Sequence, residues 1–172
     1  MVTWTAPEIA RVDEPFVGDE RALLEGFLAW HRATLLHVCA GLTGEQLVMR
    51  AVPPSNLSLL GLVRHLADVE RTWFRRRFAG EDVPSLYARP DRPDAAFDEV
   101  DPARAEADVA ALVAEWEHCR QAVAGLSLDA TYSSPRWGAM SLRWAYLHLI
   151  REYALHNGHA ELLRECIDGT TY

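Results

Sequence analysis

The 172-residue chain lacks a long hydrophobic run, since no apolar segment approaches the roughly 18 residues that span a bilayer. The opening stretch MVTWTAPEIARVDEPF also lacks a basic segment followed by an apolar one, which is the pattern of a secretory signal. We therefore expect a protein that neither spans a membrane nor is exported by such a signal.

Cysteine is scarce. Cys39, Cys119 and Cys166 are odd in number and far apart, and no CxxC spacing occurs. This pattern argues against a disulfide framework and against a zinc site built from thiolates. A reducing compartment fits such a chain, and we expect it to be cytoplasmic.

Basic residues are fewer than acidic ones, 17 against 25, which gives a formal net charge of −8. A nucleic-acid-binding protein would normally concentrate positive charge on one face, so we expect no nucleic-acid partner. All the basic residues are arginine and none is lysine, a bias from which we infer no function.

Apolar residues recur at spacings of three and four in four stretches, and no segment shows sustained strand-like alternation. This pattern predicts an all-α protein. The length suits a single domain with one core. We place that domain at residues 17–169, after an N-terminal extension (1–16) and before a short tail (170–172).

Capping residues bound the four predicted helices. We expect them at about Asp19–Gly41, at about Ser58–Ala79, from Asp101 through the sequence ALVAEWEHCRQAVAGL, and at about Ser141–Asp168, where Gly169 follows. Proline after Asp101 fits the first position of a helix.

The connection between the second and third helices, residues 81–101, is too long for a tight turn and carries three prolines. It can cross the length of a bundle, whereas a shorter loop containing SSPRWG precedes the fourth helix. We therefore predict a four-helix bundle with one long crossover, in which helices two and three run parallel.

A polar stripe interrupts the fourth helix. Glu152, His156 and His159 fall within an arc of about 60° on a helical projection. Four leucines flank the stripe, which we therefore expect to face the bundle interior: Leu149, Leu155, Leu162 and Leu163. Buried ionisable groups are costly unless they are paired or bind a metal.

The rise along a helix, about 1.5 Å per residue, limits which side chains can share an ion. Glu152 and His156 can converge, as can His156 and His159. His148 lies about 12 Å from His156 along the axis and is expected to support the site rather than bind the ion. A further ligand must come from another helix, where His65 in LVRHLADVE lies on an apolar face. Two imidazoles and a carboxylate suit Zn, Ni or Fe(II), and three ligands leave coordination positions open.

Ordinary structural roles remain open for the same residues. His65 alone fits a hydrogen-bonded core histidine, and Glu152 with Arg151 or Arg164 fits a surface ion pair. Spacing alone does not separate these alternatives from metal binding. The remaining histidines are expected to be ordinary, partly exposed residues: His31, His37 and His118.

The segments SLLGLVRHLADVERTWFRR and EYALHNGHAELLRE resemble the DinB-like superfamily of small bacterial four-helix-bundle metalloenzymes, especially its branch associated with mycothiol-dependent reactions. The resemblance extends over about residues 17–169. In that superfamily one histidine of the second helix joins two ligands, four residues apart, on the last helix.

The resemblance implies that His65, Glu152 and His156 bind one divalent metal, most naturally Zn, with Ni or Fe as alternatives. Glu152 occupies a position usually held by histidine, a departure that is similar to the mycothiol-dependent maleylpyruvate isomerases. His159 stands where glutamine is usual, as an additional ligand, a proton shuttle or a substrate contact. We take it as the candidate catalytic residue for proton transfer.

The resemblance further implies a metal-dependent thiol S-transferase, or a thiol-dependent isomerase, that uses mycothiol or a similar low-molecular-weight thiol and an electrophilic small molecule. Two alternatives stay open at this point: a non-catalytic module that binds a metal or a small ligand, and a purely structural bundle. Bundle faces associate readily, which makes a homodimer a candidate assembly.

Overall fold

Helices form most of the computed structural model, which describes residues 3–172. Within this range lie α1 (Glu20–Cys39), α2 (Gly44–Leu47), α3 (Leu59–Glu70), α4 (Ala95–Asp98), α5 (Ala105–Val123) and α6 (Leu142–Asp168). A π-helical segment (Arg71–Phe78) continues α3, and a 3₁₀ turn (Pro102–Arg104) precedes α5. Two strands, β1 (Thr131–Ser134) and β2 (Gly138–Ser141), form a hairpin. The predicted mostly helical class is confirmed, with a small sheet in addition.

Local capping explains why the helix ends lie close to their predicted positions. The Asp19 side chain accepts a hydrogen bond from the backbone of α1, and the Ser141 side chain does the same for α6. Gly80 and Gly169 follow helices with positive φ angles of 70° and 79°, a conformation that glycine adopts without a Cβ clash. These signals act within a few residues and are therefore readable from sequence.

The predicted second helix is continuous, but it changes from an α-helix to a π-helix at Arg71. The backbone N–H of Ala79 donates to the carbonyl of Phe74, five residues earlier, at 2.9 Å. Such π-type turns are rare and occur frequently at functional sites. Here the wider turn carries Trp73, Arg75 and Arg77.

The long crossover is fixed to α3 by one carboxylate. Asp68 accepts hydrogen bonds from the backbone N–H groups of residues 86–88 at 2.5, 3.0 and 2.9 Å. Arg64 donates to Asp108 of α5 and to the carbonyl of Ala95 in the short helix α4. The crossover is thus packed against the helices along its middle rather than extended into solvent.

The segment SSPRWG, predicted as a loop, belongs to the hairpin. Tyr132 pairs with Met140, and Ser134 pairs with Gly138, which has a φ of 75°. The Ser134 hydroxyl also accepts a hydrogen bond from the backbone of Trp137. Each strand has only four residues and no apolar alternation, so the hairpin has no periodic sequence signal.

Apolar side chains of the long helices form one core. α1 packs mainly against α6, and α3 packs mainly against α5. Leu28 and Leu35 of α1 and Leu62 and Leu66 of α3 are buried, whereas Phe27 of α1 is 37% exposed. Among residues 3–172, no helix combines the length and the apolar character that crossing a membrane requires.

Residues before α1 also contact the helices. Ala6 is buried, its N–H donates to the carbonyl of Leu42 and its carbonyl accepts from Gly41. Thr5 forms an antiparallel bridge with Thr43. Part of the segment predicted as an extension therefore packs against the turn that follows α1.

Ion pairs join α3 and its π-helical continuation to α5. Arg64 pairs with Asp108, and further along both elements Arg71 and Arg75 pair with Glu115 at 2.8 and 3.1 Å. Glu115 is only 1% exposed. A carboxylate so deeply buried depends on its two arginines, since burial alone disfavours its charge.

We expect Glu115→Gln to lower the free energy of unfolding by about 3–5 kcal/mol, because two half-buried guanidinium groups would lose their counterion. Glu117→Gln, on the same helix, is the matched control: Glu117 pairs with Arg120 on the exposed surface, where loss of a pair costs at most about 1 kcal/mol. Urea denaturation of both variants measures the difference. Equal stabilities would contradict the assigned role of Glu115.

Candidate metal centre

Two helices bring the three predicted ligands together. His65 lies on α3, Glu152 and His156 lie one turn apart on α6, and one potential ligand atom from each lies within 4.8 Å of the others. The Glu152 carboxylate is 3.8 Å from Nε2 of His156, and the rings of His65 and His156 have centroids 4.9 Å apart. The alignment of α3 with α6 therefore creates a cluster that no single helix contains.

The cluster fits a divalent metal ion in its donor set. Zinc bonds of about 2.0–2.1 Å in a tetrahedral arrangement place two ligand atoms about 3.3 Å apart. The Glu152 to His156 separation of 3.8 Å is slightly larger, so small side-chain rotations would close the set around an ion. Two imidazoles and one carboxylate are ligands typical of zinc and of non-haem iron.

The polar stripe lies at the rim of the core, contrary to the expectation that it faces the interior. Leu149 and Leu163 are buried, but Leu155 and Leu162 are 57% and 49% exposed, and His159 is exposed. The buried face of α6 runs instead through Leu149, Tyr153, Ala160 and Leu163. Glu152 and His156 lie beside that face, with side chains 21% and 15% exposed.

Partial burial keeps the two ligand imidazoles neutral. Burial lowers the pKa of His65, and the nearby Glu152 carboxylate only partly offsets this effect. Burial, together with the neighbouring His65 and His159, lowers the pKa of His156 to about 4. A neutral imidazole retains a lone pair for a metal. At neutral pH, therefore, a metal ion could bind His65 and His156 without first displacing a proton from an imidazolium ring.

His148 supports Glu152 rather than joining the cluster. Its Nδ1 lies 3.8 Å from the Glu152 carboxylate and 2.8 Å from the guanidinium of Arg151. Its ring stacks on Trp144 at 4.9 Å and meets Trp73 edge-on at 4.8 Å. These contacts hold His148 in place, and burial lowers its pKa.

His159 contacts the cluster from the solvent side. Its Nδ1 is 3.3 Å from Nδ1 of His156, whereas Nε2 of His156 faces Glu152. The two nitrogens of His156 therefore have separate neighbours. This arrangement can fix which nitrogen of His156 carries its proton, as partners of metal-binding histidines commonly do. The assignment of His159 to proton transfer stays a prediction.

A groove of about 400 Å³ leads to the cluster. His65 and Glu152 line it together with residues of the π-helical segment, the crossover and the hairpin, namely Thr72, Trp73, Arg77, Ser85, Ala88, Pro93 and Trp137. A second depression of about 580 Å³ continues from it and shares Trp73, Trp137 and His148. The site is thus an open groove with aromatic walls.

A family model described as Mycothiol-S-transferase matches residues 23–169. The chain belongs to this mycothiol S-transferase family. The match confirms the predicted resemblance to a DinB-like, mycothiol-related family and includes all three clustered residues. No curated protein matches the chain.

Sequence reasoning identified the clustered residues of this mycothiol S-transferase family member but not its groove. Trp73 lies within the predicted second helix without a predicted role, and Trp137 lies in the segment SSPRWG that was predicted as a loop. The sequence signal for the groove was Trp137, a large aromatic residue in an otherwise polar turn. In the structure Trp137 is 60% exposed. Trp144, 38% exposed at the start of α6, carries the same signal.

In the metal-free protein we expect His156 to remain neutral until the pH approaches about 4, because burial and two neighbouring imidazoles disfavour its protonation. In the unfolded chain the ring should take up a proton near its ordinary pKa of about 6.5. The contribution of this residue to stability is therefore lost as pH falls from about 6.5 to 4. NMR titration of His156 in the folded protein and in the urea-unfolded protein measures its pKa in both states. A folded-state pKa near 6.5 would contradict the lowered pKa expected from burial and the two neighbouring imidazoles.

Proposed function

We propose that this protein is a metal-dependent thiol S-transferase that joins a mycothiol-type thiol to an electrophilic small molecule. Thiol-dependent isomerisation of such a molecule is a variant of the same proposal. One observation carries it: His65, Glu152 and His156 converge at an open groove in a chain that belongs to the mycothiol S-transferase family. Neither a buried structural site nor a plain core histidine would need that groove.

The three side chains would hold one divalent ion, with Zn as the first choice and Ni or Fe as alternatives. Such an ion, when bound, would stabilise the deprotonated form of a thiol near neutral pH. The chain's own contribution is orientation: Arg151 and His148 lie against the Glu152 carboxylate, and His159 lies against His156.

In the proposed transfer, the thiol sulfur forms a bond to an electrophilic carbon. In an alkyl halide or an epoxide, the bond from that carbon to its leaving group breaks, and the leaving group departs with the electron pair. In a quinone, the carbon–carbon π bond breaks instead, and its electron pair moves to the ring oxygen, which takes up a proton from solvent. The thiol proton must reach solvent. We assign this transfer to His159, because it is exposed and lies 3.3 Å from His156. Trp73 and Trp137 would shield the reacting atoms from water.

The proposed scaffold is a four-helix bundle of α1, α3 with its π-helical continuation, α5 and α6. Arg64 pairs with Asp108, and further along the chain Arg71 pairs with Glu115. Because the residue numbers increase in the same direction along both elements, these pairs support parallel packing of the two helices. A cytoplasmic location is also part of the proposal. The free thiol of the buried Cys39 supports it, since thiols stay reduced in that compartment.

A homodimer is a further part of the proposal. Leu147, Leu155 and Leu162 expose about half of their surface along α6, and such apolar positions favour association. Sedimentation of the purified protein tests this assembly, and a monomer at all concentrations would exclude it.

Removal of a ligand should remove the metal. We expect His65→Ala and His156→Ala each to weaken zinc binding by more than about 100-fold, beyond the 10–100-fold effect typical of supporting residues. His118→Ala, an exposed histidine on α5, is the matched control and should bind like wild type. Elemental analysis of purified protein and calorimetric titration measure the effect. Wild-type affinity in both ligand variants would exclude the assigned set.

Metal-loaded protein should turn over mycothiol with at least one electrophile from a panel of alkyl halides, epoxides and quinones. His156→Ala should abolish adduct formation while its circular dichroism spectrum stays unchanged, because the site lies at the rim of the core. Mass spectrometry of the adduct is the measurement. Thiol binding without turnover across the whole panel would instead favour a binding module, and absence of bound metal would favour a structural bundle.

A further inference from the structure

Arg77 lies on the π-helical segment beside the groove and, unlike Arg71 and Arg75 of the same segment, forms no ion pair. Its guanidinium lies 4.0 Å from the ring centroid of Trp73, and the residue is half-buried. Among residues 3–172, no carboxylate forms an ion pair with it. Arg71 and Arg75, six and two positions earlier in the same segment, both pair with Glu115.

Two of the acidic residues nearby are committed elsewhere, and a third, the exposed Asp82, forms no ion pair with Arg77. Glu81 pairs with Arg75, and Asp68 accepts three backbone hydrogen bonds from the crossover. Burial lowers the pKa of Arg77, and the adjacent Arg76 acts in the same direction. A half-buried cation with no anionic partner is unusual in a chain whose net charge is −8, since only the aromatic rings of Trp73 and Tyr132 offset the desolvation of its charge.

The position of Arg77 connects it to the metal centre. It lines the same groove as His65 and Glu152. The Trp73 ring contacts both the Arg77 guanidinium and the His148 imidazole, whose centroid is 4.8 Å from that of Trp73. His148 in turn lies 3.8 Å from Glu152. A molecule of modest size in the groove could therefore reach both Arg77 and the cluster.

We propose that Arg77 binds a carboxylate of the electrophilic substrate, whose planar apolar body lies against the exposed ring of Trp137. This inference rests on the proposed function, which assigns the cluster to the thiol and leaves the remaining groove to the electrophile. A guanidinium matches a carboxylate with two parallel hydrogen bonds, and the exposed indole favours a flat, apolar body. The substrate class is thus an organic carboxylate with an unsaturated or aromatic body.

The test compares a charged ligand with its neutral counterpart. Isothermal titration calorimetry of the metal-loaded protein uses 2-naphthoate and 2-naphthamide, which share the same ring system. Arg77→Met retains the apolar stem on Trp73 and removes the charge. Arg76→Met removes an adjacent, exposed charge and is the matched control. Arg77→Gln serves as the second variant if Arg77→Met does not retain the wild-type circular dichroism spectrum.

We expect Arg77→Met to weaken binding of 2-naphthoate by about 10- to 100-fold, the effect typical of hydrogen bonds to a charged group. The same variant should leave 2-naphthamide binding unchanged, and Arg76→Met should change neither affinity by more than about threefold. Equal binding of 2-naphthoate to wild type and Arg77→Met would overturn the proposal. So would an absence of 2-naphthoate binding to wild type.

An activity arm separates this inference from the proposed function. With an electrophile that carries a carboxylate, Arg77→Met should raise KM by about 10-fold or more, whereas with the corresponding neutral ester it should leave KM unchanged. Thiol transfer that proceeds with equal KM for both enzymes would refute the role of Arg77 and leave the S-transferase intact. Arg77-dependent binding of 2-naphthoate without any transfer would support the anion site and refute the transferase.

Discussion

The carboxylate of Glu70, which is fully buried, joins the four long helices of the protein. Arg32 of α1 donates to it at 2.8 Å, and the hydroxyl of Tyr153 on α6 donates at 2.6 Å. Trp116 of α5 donates to that hydroxyl at 3.0 Å. Since burial of an unpaired carboxylate is costly, these partners must all be present, and the relative rotation of the helices is constrained as a result.

The same network determines where the candidate metal centre lies. Tyr153 precedes His156 by less than one turn and follows Glu152 directly, so its attachment to Glu70 turns Glu152 and His156 to the side of the core. Glu70 ends α3 five residues after His65, so it also fixes the helix that supplies the third side chain. A buried network therefore places a half-exposed cluster at the rim, where ligands can reach it.

The walls of the groove in front of the cluster come largely from elements that carry none of the three clustered residues. Asp68 holds the crossover as one wall, the π-helical segment supplies Trp73 and Arg77, and the hairpin adds Trp137. Because these pieces lie outside the regular helices, their side chains can vary without disturbing the buried network.

The sequence by itself determined the helix boundaries and the clustered residues, because caps such as Asp19 and Ser141 act locally and His156 follows Glu152 by one turn of any helix. Assigning His65 as their partner needed the family resemblance as well. Only the tertiary structure decided which way the stripe faces, since periodicity does not distinguish the centre of a buried face from its edge. The tertiary structure likewise decided that residues 131–141 form a hairpin and that Arg77 has no ion-pair partner, because strand pairing and the distribution of counterions depend on residues distant in sequence.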